Sequence, residues 1–244
     1  MISIGITTFK HRYEKYFMPL LNTFENEVDS EIIVAINGEH KEKFDDNYRQ
    51  KILSEIADRE NTFPIIFPKF RGLSKLWNSI ILTATSDYVL LLNDDVTIDA
   101  SNFLQHVEAC ISQYQTSFKI NGSWSHVVLK KSEVAALNYF DERLLGIGEE
   151  DGDFEWRYFN FYQKPFLSVN IPGIINHIDM SHAPTNIVAT NSGKYSKFNR
   201  DLMKNIYEFS EHGYRGMFDY NARHTGMAIQ YPYEKFYLEN QDKL

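Results

Sequence analysis

The hydrophobic pattern of the chain centres on one short run, residues 88–96, with the sequence YVLLLNDDV. The aliphatic residues form a stretch too short for a helix of its own, so the pattern predicts a fully buried strand. The strand ends at Asn93, Asp94 and Asp95. Buried parallel strands deliver ligand-binding groups at their carboxyl ends, and the sequence therefore predicts a functional site here. A solvated turn after the strand is the alternative, because Asn and Asp favour turns.

The pattern before this run alternates between strands and helices. Strands are predicted at residues 1–9, 31–37 and 64–67, and helices at residues 13–24, 41–58 and 70–85. This alternation is typical of a parallel sheet with crossover helices.

The pattern after the run is more mixed. Ser101 and Ser132 are predicted to cap two helices, the second over residues 133–137. Further strands are predicted at 123–129, 166–171 and 174–178, and further helices at 153–162 and 199–212. The fold class is therefore α/β, with a mostly parallel central sheet flanked by helices. No linker divides the chain, so we expect one domain over residues 1–244, in which 1–100, 101–185 and a helical or irregular tail, 186–244, are subregions.

The composition of the chain argues against several classes of protein. A hydrophobic content of 43% with 24% charged residues is ordinary for a soluble globular protein. The formal charge of -8 argues against general nucleic-acid binding, which needs a basic face. The single cysteine, Cys110, excludes an intrachain disulfide and fits a reducing cytoplasm. No signal peptide and no apolar run of the ~18 residues that a membrane span needs are found, which leaves only peripheral membrane contact open.

Two groups of charged residues carry candidate chemistry. Asp94 and Asp95 would repel each other unless a cation lies between them, and a hard divalent metal with a phosphate-bearing substrate would supply that charge. Arg71 and Lys75 stand at the start of the helix predicted at 70–85, where a basic group suits an anion or merely solvates the helix start.

A second acidic stretch, FDERLLGIGEEDGDFEWR, occupies residues 140–157. Its carboxylates gather at the first turn of the helix predicted at 153–162, which the helix dipole favours for purely structural reasons. Stability alone does not require four carboxylates between Glu149 and Asp153. The density of charge therefore indicates a functional loop.

Taken in order, these segments resemble the GT-A-fold glycosyltransferases, specifically the inverting family-2-like group that uses nucleotide sugars. ITTFKHR is similar to the opening nucleotide-binding strand of that family, and RGLSKLWN to its Gly-x-x-x-x-x-Asn helix start. LLLNDDV matches the DXD position, with Asn93 where many members have Asp, and the 140–157 segment is similar to Gly-x-Glu-Asp-x-Asp. Asn37 stands where the family usually has the Asp that faces the base. The resemblance covers residues 2–177.

The resemblance implies a metal-dependent inverting glycosyltransferase. It would move a sugar from a nucleoside-diphosphate sugar, with a UDP-sugar preferred, to a hydroxyl of a saccharide or glycan in polysaccharide biosynthesis. The implied nucleotide-sugar-binding residues are Thr7, Thr8, Phe9, Arg12, Asn37, Arg71, Gly72, Lys75, Asn93 and Asp94.

The same resemblance implies the metal ligands, the general base and the acceptor-binding residues. Asp95 and His177 are expected to bind Mn²⁺ or Mg²⁺, with His182 as the alternative to His177. Asp151 is implied as the general base. The implied acceptor-binding residues are Glu150, Asp153 and Trp124.

Two other classes stay open. A non-catalytic nucleotide- or sugar-binding module of the same fold would have the same strands, but it would have no use for a base in the acidic loop. A nucleotidyltransferase also pairs a related fold with a metal carboxylate. It normally has a glycine-rich basic loop after strand one, which ITTFKHRYEKY lacks.

Overall fold

A computed structural model of the protein describes residues 2–24, 30–38, 44–177, 195–208 and 223–224. The chain divides into two compact units. The first unit contains Met1–Phe70, Leu76–Glu133 and Leu167–Ala183. The second contains Arg71–Lys75, Val134–Phe166 and Pro184–Leu244. These boundaries cross those of the three predicted subregions, and the expectation of one domain over 1–244 stays a prediction.

The strands are short and mostly buried. In chain order they are β1 (Ser3–Thr8), β2 (Ile32–Ile36), β3 (Thr62–Ile66), β4 (Tyr88–Asn93), β5 (Val96–Ile98), β6 (Phe118–Ile120), β7 (Ser123–Lys130), β8 (Leu167–Val169), β9 (Ile174–Asn176), β10 (Tyr207–Glu208) and β11 (Arg223–His224). The helices are α1 (Met18–Thr23), α2 (Asp46–Ala57), α3 (Leu73–Thr83), α4 (Ala100–Tyr114), α5 (Lys131–Ala136), α6 (Glu150–Tyr162) and α7 (Ser196–Ile206). A 3-10 turn, Lys10–Arg12, and a π-helical turn, Tyr13–Phe17, precede α1.

The first unit is built on a seven-stranded sheet with the order β3-β2-β1-β4-β7-β6-β8. The four strands from β3 to β4 are parallel, β7 runs antiparallel to β4, and β6 antiparallel to β7. Every residue of β1 and β2 is buried, as expected for parallel strands covered on both faces. The prediction of an α/β fold with a mostly parallel central sheet is confirmed.

Close packing at the centre of this sheet depends on a glycine. A Cβ atom at Gly5 would lie 2.9 Å from Leu91 Cδ2 and would also meet Ile80 of α3. Only glycine therefore allows α3 to pack this closely on β1, and α3 leads the chain directly into β4.

Each unit has its own core. One face of the first unit's sheet contributes Ile4, Ile6, Val34, Leu90 and Leu92 to a cluster with the helices after β1. The second unit contains a smaller cluster of buried residues, Leu144, Trp156, Met203 and Ile206. The acidic segment and α7 therefore share a core.

Several predicted helix boundaries are wrong. Helix α4 begins at Ala100 with Asp99 at the N-cap position, so Ser101 lies inside it. Asp99 has the extended backbone conformation of an N-cap residue, with φ -85 and ψ 96. Ser132 lies inside α5, because that helix begins at Lys131.

Other observed boundaries of helices and strands differ from the predicted ones by a few residues. Helix α6 begins at Glu150 rather than 153, because Glu149 takes the left-handed conformation, with φ 76, that breaks the chain direction just before it. Strand β3 spans Thr62–Ile66 instead of 64–67, and Val96 belongs to β5 rather than to the central strand. Helix α7 spans Ser196–Ile206 and is followed by β10, whereas the helix was predicted at 199–212, of which 209–212 lie outside the described residues. In the described part of the chain, no helix has the length and apolar character needed to cross a membrane.

Candidate active site

The polar residues that end three neighbouring strands lie at one edge of the sheet. Strands β1, β2 and β4 are parallel, with Thr7 paired to Asn93 and Thr8 paired to Ile36. Their carboxyl ends therefore meet, as predicted. We call this set of residues the strand-end group: Thr7, Thr8, Phe9, Arg12, Asn37, Asn93, Asp94 and Asp95.

Asp94 is an almost fully enclosed member of the strand-end group, with 2% of its surface exposed. Thr8 Oγ1 donates a hydrogen bond to Asp94 Oδ2 at 2.8 Å, and Arg12 Nη1 donates to Asp94 Oδ1 at 3.0 Å. Burial raises the pKa of Asp94 to about 6, although Arg12 and Thr8 act in the opposite direction. The carboxylate is therefore fixed in position by two donors.

Arg12 connects the two adjacent carboxylates. The same Nη1 nitrogen lies 2.9 Å from Asp95 Oδ2, and both carboxylates are almost fully buried. Burial alone would lower the pKa of Arg12, but Asp94 and Asp95 reverse that effect and raise it. The repulsion expected between the carboxylates is therefore compensated by a residue of the chain itself.

Local structure after β1 explains how Arg12 reaches this place. Phe9 leaves the strand in an extended conformation, and the 3-10 turn that follows is closed by a hydrogen bond from the Arg12 N–H to the Phe9 carbonyl oxygen at 3.0 Å. The guanidinium carbon lies 5.1 Å from the centre of the Phe9 ring, within cation–π range. Phe9 therefore helps to hold Arg12 against the carboxylates.

Asn37 ends β2 beside these residues. Its N–H donates to the Thr8 carbonyl oxygen at 2.9 Å, and its Oδ1 accepts from the Gly38 N–H at 3.0 Å. These bonds hold the turn after β2 against the end of β1.

His177 is tied to Asp95 through the backbone. Strands β5 and β9 form a two-stranded antiparallel ribbon, and the His177 N–H donates to the Asp95 carbonyl oxygen at 3.0 Å. The exposed imidazole lies with Nε2 2.6 Å from Thr97 Oγ1 and with its ring centre 5.8 Å from that of Tyr16. His182, the alternative ligand, lies outside the described residues.

Asp95 offers a carboxylate to a metal, and the metal site itself stays a prediction. Within the described ranges, no set of three His, Cys, Asp or Glu side chains is arranged to hold a metal. Metals that accompany phosphate substrates need fewer protein ligands, because phosphate and water oxygens complete the coordination. The Asp95 carboxylate is the kind of oxygen ligand that these metals take, whereas Nε2 of His177 lies against Thr97 Oγ1, so His177 as a second ligand stays a prediction.

One buried histidine near Asp95 was missed by sequence reasoning. His126 of β7 pairs opposite Leu92 and is 2% exposed. Burial lowers its pKa to about 4, with the charge of Asp95 acting in the opposite direction. Among described residues, its Nδ1 has no hydrogen-bond partner. The sequence did contain a signal for His126, because it is a polar residue inside the apolar run of a buried strand.

Trp124 belongs to the first unit, not to the acidic segment. Its ring stacks on Trp77 with centres 6.1 Å apart, and 9% of the residue is exposed. Its role in acceptor binding stays a prediction.

The carboxylates of the acidic segment, which lies in the second unit, contact different partners. Asp153 is fully buried and lies 2.6 Å from Arg157 Nη2. Glu150 accepts a hydrogen bond from the Gly148 N–H at 2.6 Å, and Asp151 accepts one from the Gly152 N–H at 2.8 Å. Burial, followed by the charge of Asp151, raises the pKa of Glu150 to about 8.

The start of α3 is held to the loop before α6. The Leu73 N–H donates to the Gly146 carbonyl oxygen at 2.8 Å, and a Cβ at Gly72 would lie 3.0 Å from the Leu144 carbonyl oxygen. Lys75 Nζ lies 3.4 Å from the buried Glu142. Donor binding by Arg71, Gly72 and Lys75 stays a prediction.

Sequence reasoning also missed Asn199. This fully buried residue of α7 forms hydrogen bonds with the backbone of Leu145 and Gly148. Its position in a tail without clear periodicity provided no signal.

Comparison with known proteins identifies the fold. No protein-family model matches the chain, and no curated protein matches its sequence. TarS of S. aureus, residues 1–349 in complex with UDP-GlcNAc, is 15% identical with a TM-score of 0.57, over 84% of this chain and 64% of TarS. A second TarS 1–349 structure is 17% identical to this chain, with a TM-score of 0.51. The match covers 65% of this chain and 55% of that one.

A mannosyltransferase, PcManGT from Pyrobaculum calidifontis in complex with GDP-Man and Mn²⁺, is 10% identical with a TM-score of 0.53, over 69% of this chain and 54% of its own. The matched region spans 35% to 64% of the TarS chains. The structural neighbours are glycosyltransferases, and this chain has their GT-A-like fold.

Proposed function

We propose that this protein is an inverting glycosyltransferase that moves a sugar from a nucleoside-diphosphate sugar to a hydroxyl of a saccharide or glycan. The observation that carries the proposal is the buried Asp94–Asp95 pair with its bound Arg12, at the carboxyl ends of β1 and β4. In open α/β sheets, ligands bind outside these strand ends. The fold is shared with structures that contain UDP-GlcNAc and GDP-Man, which supports a nucleotide-sugar donor.

The strand-end group would bind the donor. Asn93 and Asp94 face the ribose in this proposal, and Asn37 the base. Asp95 and His177 would hold Mn²⁺ or Mg²⁺, which as a Lewis acid would stabilise negative charge on the leaving diphosphate. UDP is our preferred nucleotide because TarS structures contain UDP and UDP-GlcNAc, although the mannosyltransferase contains GDP-Man.

Asp151 is the proposed general base. Burial and the charge of Asp151 raise the pKa of Glu150, and Asp151 is proposed as the member of the pair that accepts the proton. Asp153 is held by Arg157 in an ion pair and would support the segment. In the transfer step, the acceptor hydroxyl gives its proton to Asp151 and its oxygen bonds to the anomeric carbon. The bond from that carbon to the diphosphate breaks, and the diphosphate leaves with the electron pair.

The acceptor is proposed only by class, as a saccharide or glycan in polysaccharide biosynthesis, with Glu150 and Trp124 as the proposed contacts. Cytoplasmic localisation remains an expectation from the single cysteine.

Thermal unfolding tests the donor proposal. The melting temperature would be measured with UDP, GDP, CDP and dTDP, each with Mn²⁺ or with EDTA, for wild type and Asp95→Ala. A ligand that binds only the folded state raises the melting temperature by mass action. We expect one nucleotide to stabilise the wild type in the presence of Mn²⁺ and to have little effect on the variant.

Asp46→Ala is the matched control, because it removes an exposed carboxylate from α2 of the same unit and should respond like wild type. If none of the four nucleotides stabilises the wild type, the donor proposal fails.

A further inference from the structure

Arg12 occupies the place where a cation is needed at the strand-end group. Its Nη1 contacts Asp94 at 3.0 Å and Asp95 at 2.9 Å, while 8% of Arg12, 2% of Asp94 and 4% of Asp95 is exposed. Charges that are this well enclosed need a partner, because removal from water is costly. One guanidinium therefore serves both carboxylates.

The proposed metal ligand is one of these two carboxylates. Arg12 binds Asp95 Oδ2, so a divalent cation that takes the same oxygen must share it with a guanidinium. Together the two cations would place three positive charges against the two negative charges of the carboxylates. Like charges held close repel each other, so the metal and Arg12 are competitors at Asp95.

We propose that Arg12 is a resident counter-ion that a divalent metal must displace from Asp95. The metal alone therefore binds weakly. A bound diphosphate provides new anionic oxygens for the displaced guanidinium, which is a strong partner for phosphate groups. The metal and the diphosphate consequently bind cooperatively, and Arg12 contributes to the coupling. Both parts rest on the proposed function, the first on its metal site at Asp95 and the second on its diphosphate donor.

Thermodynamic linkage makes the consequence measurable. If a diphosphate raises the metal affinity by a given factor, the metal raises the diphosphate affinity by the same factor. Replacing Arg12 with a neutral residue removes the competitor, so metal binding without nucleotide becomes stronger and less dependent on the diphosphate.

The experiment measures binding of Mn²⁺ by the loss of the free-ion EPR signal, with and without UDP, in wild type and Arg12→Gln. Without UDP, we expect the variant to bind Mn²⁺ about tenfold more tightly, within the range of ordinary coupling between sites. We also expect UDP to enhance Mn²⁺ binding less in the variant than in wild type. Lys10→Gln is the matched control, because Lys10 contacts the exposed Asp45 at 2.6 Å, and it should behave like wild type.

An Arg12→Gln affinity for Mn²⁺ that equals or falls below the wild-type value in the absence of UDP would overturn the competition. If Arg12→Gln does not fold, Arg12→Gln combined with Asp94→Asn is used, because it removes one positive and one negative charge and leaves the net charge of the buried group as in wild type. That double variant is compared with Asp94→Asn, and the same increase in Mn²⁺ affinity is expected. Absence of binding by UDP, GDP, CDP and dTDP to wild type would reject the donor proposal, while the comparison with Mn²⁺ alone still decides the role of Arg12.

Discussion

Asn199 holds Leu145 by both ends of its side-chain amide. Its Oδ1 accepts from the Leu145 N–H at 2.8 Å, and its Nδ2 donates to the Leu145 carbonyl oxygen at 2.9 Å. The same Nδ2 donates to the Gly148 carbonyl oxygen at 2.9 Å. Helix α7 therefore fixes the backbone of the loop that leads into α6.

Replacement of Asn199 should destabilise the protein substantially. Asn199→Leu leaves buried backbone groups without partners, and we expect a loss of about 3 kcal/mol in the free energy of unfolding, measured with urea. Asn160→Leu is the control, because Asn160 is exposed and its amide donates to the Trp156 carbonyl oxygen of the same helix. A loss at Asn199 no larger than that at Asn160 would mean that the loop does not depend on these bonds.

Gly146 should be intolerant of alanine for a reason beyond its backbone conformation. Its φ is +64, and a Cβ would lie 2.8 Å from Cγ of the Tyr195 ring. Gly122 has a similar φ of +74, but its nearest neighbour would be Ser168 Oγ at 3.9 Å. Gly146→Ala should therefore cost about 2 kcal/mol more than Gly122→Ala in urea unfolding, because only the first overpacks. Equal costs would leave backbone strain as the sole effect.

Glu150 should make the stability depend on pH in a defined direction. Its pKa rises from 4.5 when unfolded to about 8 when folded, so the folded state binds the proton more tightly. Its stabilising contribution is complete below pH 4.5 and is lost as the pH rises toward 8. Glutamine cannot ionise, so the melting temperature of Glu150→Gln should rise relative to wild type across this window.

The matched control for Glu150 is Glu60→Gln, which changes an exposed side chain. It should show the wild-type pH profile between pH 4 and pH 9. A constant difference between Glu150→Gln and wild type over that range would contradict the raised pKa.

Substitutions of Asp151 and Asp153 should affect different properties, sugar transfer in the first case and stability in the second. Asp151→Asn should abolish sugar transfer while leaving nucleotide-induced stabilisation intact, because the donor residues are unchanged. Asp153→Asn breaks a buried ion pair with Arg157 and should cost about 3–5 kcal/mol in urea unfolding. Near-normal transfer by Asp151→Asn, measured as release of the nucleoside diphosphate, would remove it as the base.

The hydrophobic pattern could predict most strands of the sheet, because these strands are continuous runs of buried apolar residues. Residues such as Ile4, Val34 and Leu91 are fully or almost fully buried, and apolar runs of this kind are a strong signal. Strands β5 and β6 were not predicted, because each has only three residues, too few for a hydrophobic pattern to be recognised.

The site was harder to predict than the fold. A site at the carboxyl end of the central strand could be predicted because buried parallel strands deliver ligand-binding groups there, but the hydrogen bond from Thr8 to Asp94 was not predicted. The role of Arg12 could not be predicted, since nothing in the sequence shows that a 3-10 turn directs its guanidinium back onto β4. Asn199 lies 54 residues from Leu145, a separation over which local patterns have no information.

The ribbon of β5 and β9 has a mechanical consequence. Asp95 immediately precedes β5 and His177 immediately follows β9, and a backbone hydrogen bond joins the two residues. The backbone hydrogen bond therefore anchors the end of β9 to the residue that follows the turn after the central strand, and the ion pair with Arg12 anchors that same residue to the turn after β1. A displacement of the ribbon away from the end of β1 would have to break one of these two contacts.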